Sequence, residues 1–439
     1  MKKVLVLGAG LVARPLVRYL LDKGYEVTCA SRTVAKAEAL IDGHANGKAL
    51  PLDLQDEAKL AELIAATDLA ISLVPPPLHP VVARHCLDAG KNMVTTSYVA
   101  PEMAALDAEA REKGLTILNE IGVDPGIDHM SSMRVIDDVK QRGGELLAFR
   151  SYTGGLPAPQ HNDNPFGYKF SWAPRGVLVA SRNGAQYRAD GRKVEVPPAR
   201  LFRDMHVLQV PDFGDFEAYP NRDSIAYEDV YDLAGIPTLY RGTLRNMGWC
   251  DTIYNFRQAG LLELDEFAVE GRTYAQLMRD HLGAGPDEDL RVAFARKVGI
   301  APDCLPAWNA HWLGLFSDRP VAGERTTMLD AVGDLMFERL AFAEGELDLI
   351  VMFHDFQAKF PDGHREHITS QLIQFGEEGG DSAMSRTVSL PAAIAAHMIL
   401  SGEITESGVL RPVLPGIYEP VLDELATMGI ALTERTETY

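Results

Sequence analysis

Cysteine is scarce in this chain: 439 residues hold four, Cys29, Cys86, Cys250 and Cys304, and no two of them form a C-x-x-C pair. That excludes a disulfide framework, a redox dithiol and the usual zinc cage, and it suits a reducing cytoplasm. Positive charge is short as well. With 42 basic against 62 acidic side chains the formal net charge is −20. No basic block offsets it, so nucleic acid and anionic membrane are both disfavoured as partners. Long hydrophobic runs are missing: no apolar stretch approaches the roughly 18 residues of a membrane span. Met1-Lys2-Lys3 followed by Val4 to Ala13 has the outline of a signal peptide, but two glycines interrupt the run and no small-residue cleavage site follows. No internal repeat or low-complexity tract stands out. What is present is ordinary globular text, 46% hydrophobic and 24% charged, long enough for about three domains.

Six apolar runs of strand length lie between helical patterns: Val4 to Leu7, Tyr25 to Ala30, Ala49 to Leu52, Asp68 to Val74, Asn92 to Thr95 and Leu115 to Leu118. The helices between them read as Leu11 to Lys23, Asp56 to Ala66, His79 to Ala89 and Pro101 to Lys113. This alternation predicts an α/β fold, a Rossmann-type doubly wound parallel sheet. After Gly126 the pattern changes. Strands are expected at Glu145 to Thr153, in a hairpin turning at Asp190-Gly191, at Asp348 to Phe353 and at His367 to Phe375, which makes a second, mixed sheet. Leu261 to Phe342 reads as mainly helical, and the closing segments Ser389 to Ser401 and Ile417 to Met428 are helical with one apolar face.

Gly8-Ala9-Gly10-Leu11-Val12-Ala13 is a G-x-G-x-x-A match that follows a strand and opens a helix. In that place Gly8 permits the tight turn, Gly10 lets backbone approach a pyrophosphate, and the helix N-terminus attracts the anion. The second strand ends in Ser31-Arg32-Thr33, where NAD enzymes usually carry an acid. A guanidinium between two hydroxyls suits a 2′-phosphate, which predicts NADP over NAD; the plainer alternative is that Arg32 caps the strand or pairs with a surface acid. Asp53 and Leu54 are placed to receive the adenine, and Val74 ends the fourth strand at the topological switch point.

Further segments follow in order. They are Thr96-Ser97-Tyr98, Asn119-Glu120-Ile121-Gly122-Val123-Asp124-Pro125-Gly126-Ile127-Asp128-His129 and Gly154-Gly155-Leu156-Pro157-Ala158-Pro159. After these come Asn164-Pro165-Phe166-Gly167-Tyr168-Lys169-Phe170-Ser171-Trp172, Tyr219-Pro220-Asn221-Arg222-Asp223-Ser224 and Arg241-Gly242-Thr243-Leu244-Arg245. With the fingerprint, this text resembles the saccharopine reductases, the NADP-dependent, glutamate-forming saccharopine dehydrogenases, over nearly the whole chain. The resemblance implies condensation of glutamate with aminoadipate semialdehyde, hydride reduction of the imine to saccharopine, and the reverse oxidation, in a cytoplasmic homodimer. It further implies that Ala9, Gly10, Leu11, Val12, Ser31, Arg32, Thr33, Asp53, Leu54, Val74, Thr96, Ser97, Val123, Asp124, Pro125 and Ser171 line NADP. Ser97, Tyr98, Asp124, Arg222, Thr243, Leu244 and Arg245 would line saccharopine, with Asp124 and Tyr98 the candidate catalytic groups. Residues 1–128 with about 385–439 would then bind NADP. Residues 129–260 with 342–384 would bind substrate and dimerise, and 261–341 would be a helical insertion.

The chemistry agrees with that implication. Saccharopine carries three carboxylates and an amine, so an acidic protein needs fixed cations for it, and Arg222 and Arg245 suit bidentate carboxylate binding. Asp124 can hold an ammonium or iminium, and Tyr98 can donate to a carboxylate. Two rivals remain: a reductase of another imine, of the carboxynorspermidine type, whose substrate has fewer carboxylates, and an NADP-binding sensor without turnover. One departure is plain: fungal members of the family carry a cysteine in the segment that here reads Ser151-Tyr152-Thr153. Other residues take plainer readings. His364, Glu366 and His367, with His354, match no metal spacing. Ser382 reads as a turn or cap, His129 as a structural histidine, Trp172 and Trp249 as wall or core, and Lys169 as an exposed lysine that could add a substrate cation.

Overall fold

Strand and helix alternate from the start, as the apolar pattern predicts. The computed structural model describes residues 1–172 and 174–439. In chain order it begins with β1 (Lys3–Leu7), α1 (Arg14–Asp22), β2 (Glu26–Ser31), α2 (Val34–Ile41), β3 (Gly47–Pro51), α3 (Glu57–Ala65) and β4 (Leu69–Ser72). Next come α4 (His79–Ala89), β5 (Asn92–Thr95), α5 (Pro101–Ala104), α6 (Asp107–Glu112), β6 (Thr116–Leu118) and α7 (Ile127–Gln141). There follow β7 (Glu145–Pro157), α8 (Pro174–Ala180), β8 (Ala185–Ala189), β9 (Arg192–Val196), β10 (His206–Val210), β11 (Gly214–Pro220) and β12 (Thr238–Arg245). A helical stretch holds α9 (Trp249–Gln258), β13 (Glu266–Ala268), α10 (Tyr274–Leu282), α11 (Leu290–Val298), α12 (Leu305–Leu313), β14 (Arg325–Thr327) and α13 (Met328–Arg339). Last are β15 (Asp348–Lys359), β16 (Arg365–Phe375), α14 (Ala383–Ser401), β17 (Gly408–Leu410), α15 (Pro415–Thr427) and β18 (Thr433–Thr438).

The chain divides into two compact units, Met1–Leu146 with Ala358–Tyr439, and Leu147–Gln357. In the first, seven strands form a sheet of order β17-β6-β5-β4-β1-β2-β3, and its pairings are all parallel. The order 3-2-1-4-5-6 is that of the doubly wound dinucleotide fold, with β17 added beyond β6. Its central strands are apolar on both faces because helices cover both: all four residues of β4 are buried, as are Val4, Leu5, Val6 and Leu7 of β1. The predicted helix over Pro101 to Lys113 is broken into α5 and α6 at Ala105 and Leu106, and α2 was not foreseen.

Helix α14 amends one expectation. It is long and apolar enough, by length and composition alone, to cross a membrane. Its Arg386 and His397 interrupt the apolar run without lowering the average far. The helix is a core element: Ala392, Ala393, Ile394, Ala395 and Ala396 are fully buried, and it packs on α1, α15, β4 and β5. Ser382 caps it, accepting a hydrogen bond from the Ser385 amide at 3.0 Å.

In the second unit β10, β11, β12, β7 and β15 lie side by side in that order, with β8 on β12 and β9 on β8. Strand β12 runs parallel to β7 and antiparallel to β11 and β8, so the sheet is mixed, as expected. The hairpin at Asp190-Gly191 is present. The helical segment α10 to α13 belongs to this unit and carries an unforeseen two-stranded ribbon, β13 with β14.

Candidate active site

The parallel strands of the first unit all end on one edge, and the fingerprint lies there. Gly8 has φ +109°, and a Cβ on it would stand 2.8 Å from the Leu73 carbonyl oxygen, so the fold itself requires glycine. Gly10 differs: a Cβ there would meet no atom within 4 Å, so its bareness leaves open room for a ligand's backbone approach. Helix α1 begins with no side-chain cap and no acid in its first turn, which leaves its free N–H groups and partial positive charge for an anion. Ala9, Leu11 and Val12 complete the turn before α1, with Leu11 70% exposed. At the end of β2, Arg32 and Thr33 are exposed. Arg32 forms no ion pair among the described residues, so the surface-pair alternative for it has no support. After β3, Asp53 is exposed and turns the chain through a hydrogen bond from the Gln55 amide at 3.1 Å; Leu54 packs partly onto the core. Val74 follows β4 and is half-buried, and Thr96 follows β5. This donor set fits a dinucleotide with a 2′-phosphate: unclaimed helix N–H groups, a bare Gly10 and an uncommitted guanidinium.

On the same edge lie Ser97, Tyr98, Val123, Asp124 and Pro125. The Tyr98 hydroxyl donates to Asp124 Oδ1 at 3.0 Å, which joins the two residues expected to act together. Two buried features, neither singled out from the sequence, set this arrangement. The first is Glu120, at φ 57° and 1% exposed. Its carboxylate accepts from the Val99 amide, Arg411 Nε and His129 Nε2 at 2.8–2.9 Å, and its own amide donates to the Ser97 carbonyl. Burial opposes ionisation of this group, but the His129 hydrogen bond and charge, then Arg411 and the Val99 amide, outweigh it and bring its pKa down to about 2. His129 is thus a buried structural partner, and Glu120 ties the Ser97–Val99 loop to the Asp124 loop. Gly126, at φ +149°, lets that second loop close; a Cβ on it would overlap the Gly122 backbone.

The second feature is His79, the first residue of α4. Its Nδ1 lies 2.8 Å from Ser72 Oγ and 3.5 Å from Thr95 Oγ1, and its Nε2 lies 2.8 Å from Ser97 Oγ. Desolvation lowers its pKa to about 4, so it is neutral near pH 7. A lone histidine after an apolar strand carries no motif, and only the hydroxyls at positions 72, 95 and 97 hinted at its company.

In the second unit the candidate residues gather on β12 and its neighbours. Register places Thr243 between Thr153 on β7 and Tyr219 on β11, and strand alternation puts Arg245 on the same face, two residues on. Leu244 points to the other face and is fully buried. Arg245 is 6% exposed; its Nη1 donates to the Leu244 carbonyl at 2.8 Å, while its Nε has no hydrogen-bond partner among the described residues. It lies over the rings of Tyr168 and Trp249, at 4.9 and 5.6 Å. Its strand-pairing partner is an acid, Glu217, yet the two form no ion pair. Both Glu217 oxygens instead accept from the Gly248 and Cys250 amides, at 2.8 and 2.7 Å, at the start of α9. Arg245 is therefore a buried cation with no ion-pair partner among the described residues.

Buried polar atoms ordinarily find partners. Thr153 Oγ1, Ser171 Oγ and Trp249 Nε1 have none among the described residues either, so this unit holds several polar atoms ready for a polar ligand. Arg222 follows β11, exposed and at φ 54°. Lys169 departs from expectation: it is 4% exposed, and its Nζ pairs with Glu346 at 2.6 Å and Asp163 at 2.9 Å. Burial alone would discharge it, but those two carboxylates raise its pKa instead and leave it no charge to offer a substrate. Trp249 is core, against Tyr168. Glu366 pairs with Arg142, and His364 with Asp362.

Comparison with known proteins gives a concordant result. Residues 4–118 match the family described as saccharopine dehydrogenase NADP binding domain, and residues 122–430 match the saccharopine dehydrogenase C-terminal domain. The chain is 37% identical over 447 residues to a saccharopine dehydrogenase [NADP(+), L-glutamate-forming] of Schizosaccharomyces pombe, covering 99% of each. It is 38% identical to the mitochondrial alpha-aminoadipic semialdehyde synthase of Mus musculus, covering 99% of this chain but only 48% of that protein, so it spans about half the length of that relative. Among solved structures, the apo saccharopine dehydrogenase (L-Glu forming) of Saccharomyces cerevisiae superposes with a TM-score of 0.91 at 37% identity, covering 100% of both chains.

Proposed function

The chain belongs to the saccharopine dehydrogenase family, and on that premise we propose that it is an NADP-dependent, L-glutamate-forming saccharopine dehydrogenase, an oxidoreductase of CH–NH bonds in lysine metabolism. The observation that carries the reading is Arg245, a buried guanidinium without a carboxylate of its own. A cation kept in that state is completed by a ligand carboxylate, and saccharopine has three. The imine reductase with a less acidic substrate is not favoured, because the relatives matched over 99% of both chains are saccharopine dehydrogenases. An NADP-binding sensor is not favoured either, because it has no use for a buried substrate cation.

The nicotinamide dinucleotide, when bound, supplies or accepts the hydride. The chain's own residues do the rest. Gly10, the start of α1, Ser31, Arg32, Thr33, Asp53, Leu54 and Val74 hold the dinucleotide, with Arg32 on its 2′-phosphate. Thr96, Ser97, Val123, Pro125 and Ser171 are assigned to the same ligand. Arg245, Arg222, Thr243 and the Leu244 backbone bind the amino-acid substrate, and the Ser97 hydroxyl serves it as well. Asp124 holds positive charge on the substrate nitrogen, which develops as the C–N bond changes order. Tyr98 keeps that carboxylate oriented through its 3.0 Å hydrogen bond. A chemistry that required a thiol in the Ser151–Thr153 segment would be closed to this chain, whereas the Thr153 hydroxyl can still hydrogen-bond to the substrate.

The same proposal places the protein in the cytoplasm as a homodimer. Its four cysteines carry no disulfide, which supports a reducing compartment. Strand β18 pairs only with β16 and exposes all six residues, an edge that a second copy could cover. The test is NADPH formation from NADP and saccharopine, run beside NAD. Turnover with NADP alone supports the reading. No turnover in either direction, with NADPH still bound tightly, defeats it.

A further inference from the structure

We infer that His79 is a positioning residue: its neutral ring donates from Nε2–H to Ser97 Oγ and so reserves the Ser97 hydroxyl hydrogen for a carboxylate of the amino-acid substrate. The argument is a count of hydrogens. Ser72 and Thr95 are buried, at 0% and 1% exposure, and each hydroxyl hydrogen needs an acceptor. Among the described residues, the side-chain partner of Ser72 Oγ is His79 Nδ1, at 2.8 Å, and Thr95 Oγ1 faces the same atom at 3.5 Å. Thr95 Oγ1 also receives the Ser97 amide, which uses its acceptor side and leaves its hydrogen still to be placed. Nδ1 must therefore accept. Were it protonated, it could donate to one of these oxygens, but the hydrogen of Ser72, its close partner at 2.8 Å, would then be buried without a side-chain acceptor among the described residues.

With Nδ1 as the acceptor, the one ring proton sits on Nε2 and points at Ser97 Oγ, 2.8 Å away. An oxygen that accepts from Nε2–H turns its own hydrogen elsewhere. Ser97 is half-buried, at the edge where the parallel strands end and next to Tyr98 and Asp124, so that hydrogen is available to a ligand. The ring's low basicity fits the assignment, since protonation would put a second N–H where the two hydroxyls need an acceptor. Ser72, the ring and Ser97 thus form a one-way chain of donors, with the Thr95 hydroxyl beside the same ring nitrogen at the longer distance of 3.5 Å.

The inference rests on the proposed substrate, and its test separates the two. Nitrogen-15 NMR of the ligand-free protein reads the tautomer directly: Nε2–H is expected, and an Nδ1–H ring overturns the inference whatever the activity. In kinetics, His79→Leu is expected to raise the KM for saccharopine about tenfold, with the KM for NADP little changed. His79→Gln, whose amide N–H reaches roughly as far as Nε2, should restore most of the loss. Ser97→Ala should raise the same KM, and adding His79→Leu to it should do nothing further. A His79→Leu effect that persists undiminished in the Ser97→Ala background would show a merely structural role and overturn the inference. Absence of saccharopine turnover in the unmutated protein would defeat the functional reading and leave the tautomer to decide this one.

Discussion

Replacing Arg245 with Met should separate stability from function. The guanidinium is 6% exposed, bonds the Leu244 carbonyl, and leaves Nε without a partner. Holding a lone ion away from water costs several kcal/mol even after relaxation. The rings of Tyr168 and Trp249, at 4.9 and 5.6 Å, return about 0.5–2 kcal/mol each. Methionine fills much of the same stem volume and needs no counter-charge. The ligand-free Arg245→Met protein should therefore be as stable as the parent, or more so by about 1–3 kcal/mol, a rise in Tm of about 2–4 °C per kcal/mol. Binding should suffer. Removing one member of a buried ion pair costs about 3–5 kcal/mol, so kcat/KM for saccharopine should fall by about 10²- to 10⁴-fold. Saccharopine should also raise the melting temperature of the parent and not of the variant. Thermal melts with and without saccharopine, beside steady-state rates, decide it. A ligand-free variant that melts well below the parent while its KM stays within about twofold would refute the argument and make Arg245 a structural residue.

Other outcomes follow from the same geometry. Arg32→Ala should raise the KM for NADP by about 10- to 100-fold, as expected for one charge-assisted contact, and leave that for NAD unchanged; equal changes would remove Arg32 from the 2′-phosphate. His79 has its pKa lowered from 6.5 to about 4 by burial. The unfolded chain therefore takes up its proton first, so its contribution is present above pH 6.5 and is lost as pH falls toward 4, about 3 kcal/mol in all. Denaturant titrations across that window should show the loss in the parent and not in His79→Gln. Glu120, lowered to about 2, contributes stability that is present above pH 4.5 and lost as pH falls toward 2. Glu120→Gln at neutral pH should destabilise the fold by about 1–3 kcal/mol, because it removes the buried carboxylate to which the Val99 amide, His129 and Arg411 all donate, read by urea unfolding.

The parallel sheet was legible because its strands are buried on both faces and announce themselves as continuous apolar runs, and the helices between them keep a period of their own. The strand that carries Arg245 was not. In β12, Thr-Leu-Tyr-Arg-Gly-Thr-Leu-Arg, the face that would be apolar in a purely structural strand holds Arg241, Thr243 and Arg245, so the alternation that identifies a strand is missing. Strand β18, exposed along its whole length, had no alternation to offer. Resemblance supplied Arg245 where periodicity failed. It could not supply the burial of Lys169, which depends on Glu346, 177 residues away in sequence. Nor could it supply the Glu120 and His79 networks, whose members become neighbours only when the strand ends align.

Glu217 gives the fold a further consequence. Because both of its oxygens are occupied by the first amides of α9, the helix acts as a tether that holds a natural inhibitor away from its target one strand over. A chain in which α9 was capped by a side chain of its own would release that carboxylate onto Arg245. The proposed substrate would then compete with an acid that can never diffuse away. The start of α9 thus governs whether Arg245 stays available to a ligand or is neutralised within the chain.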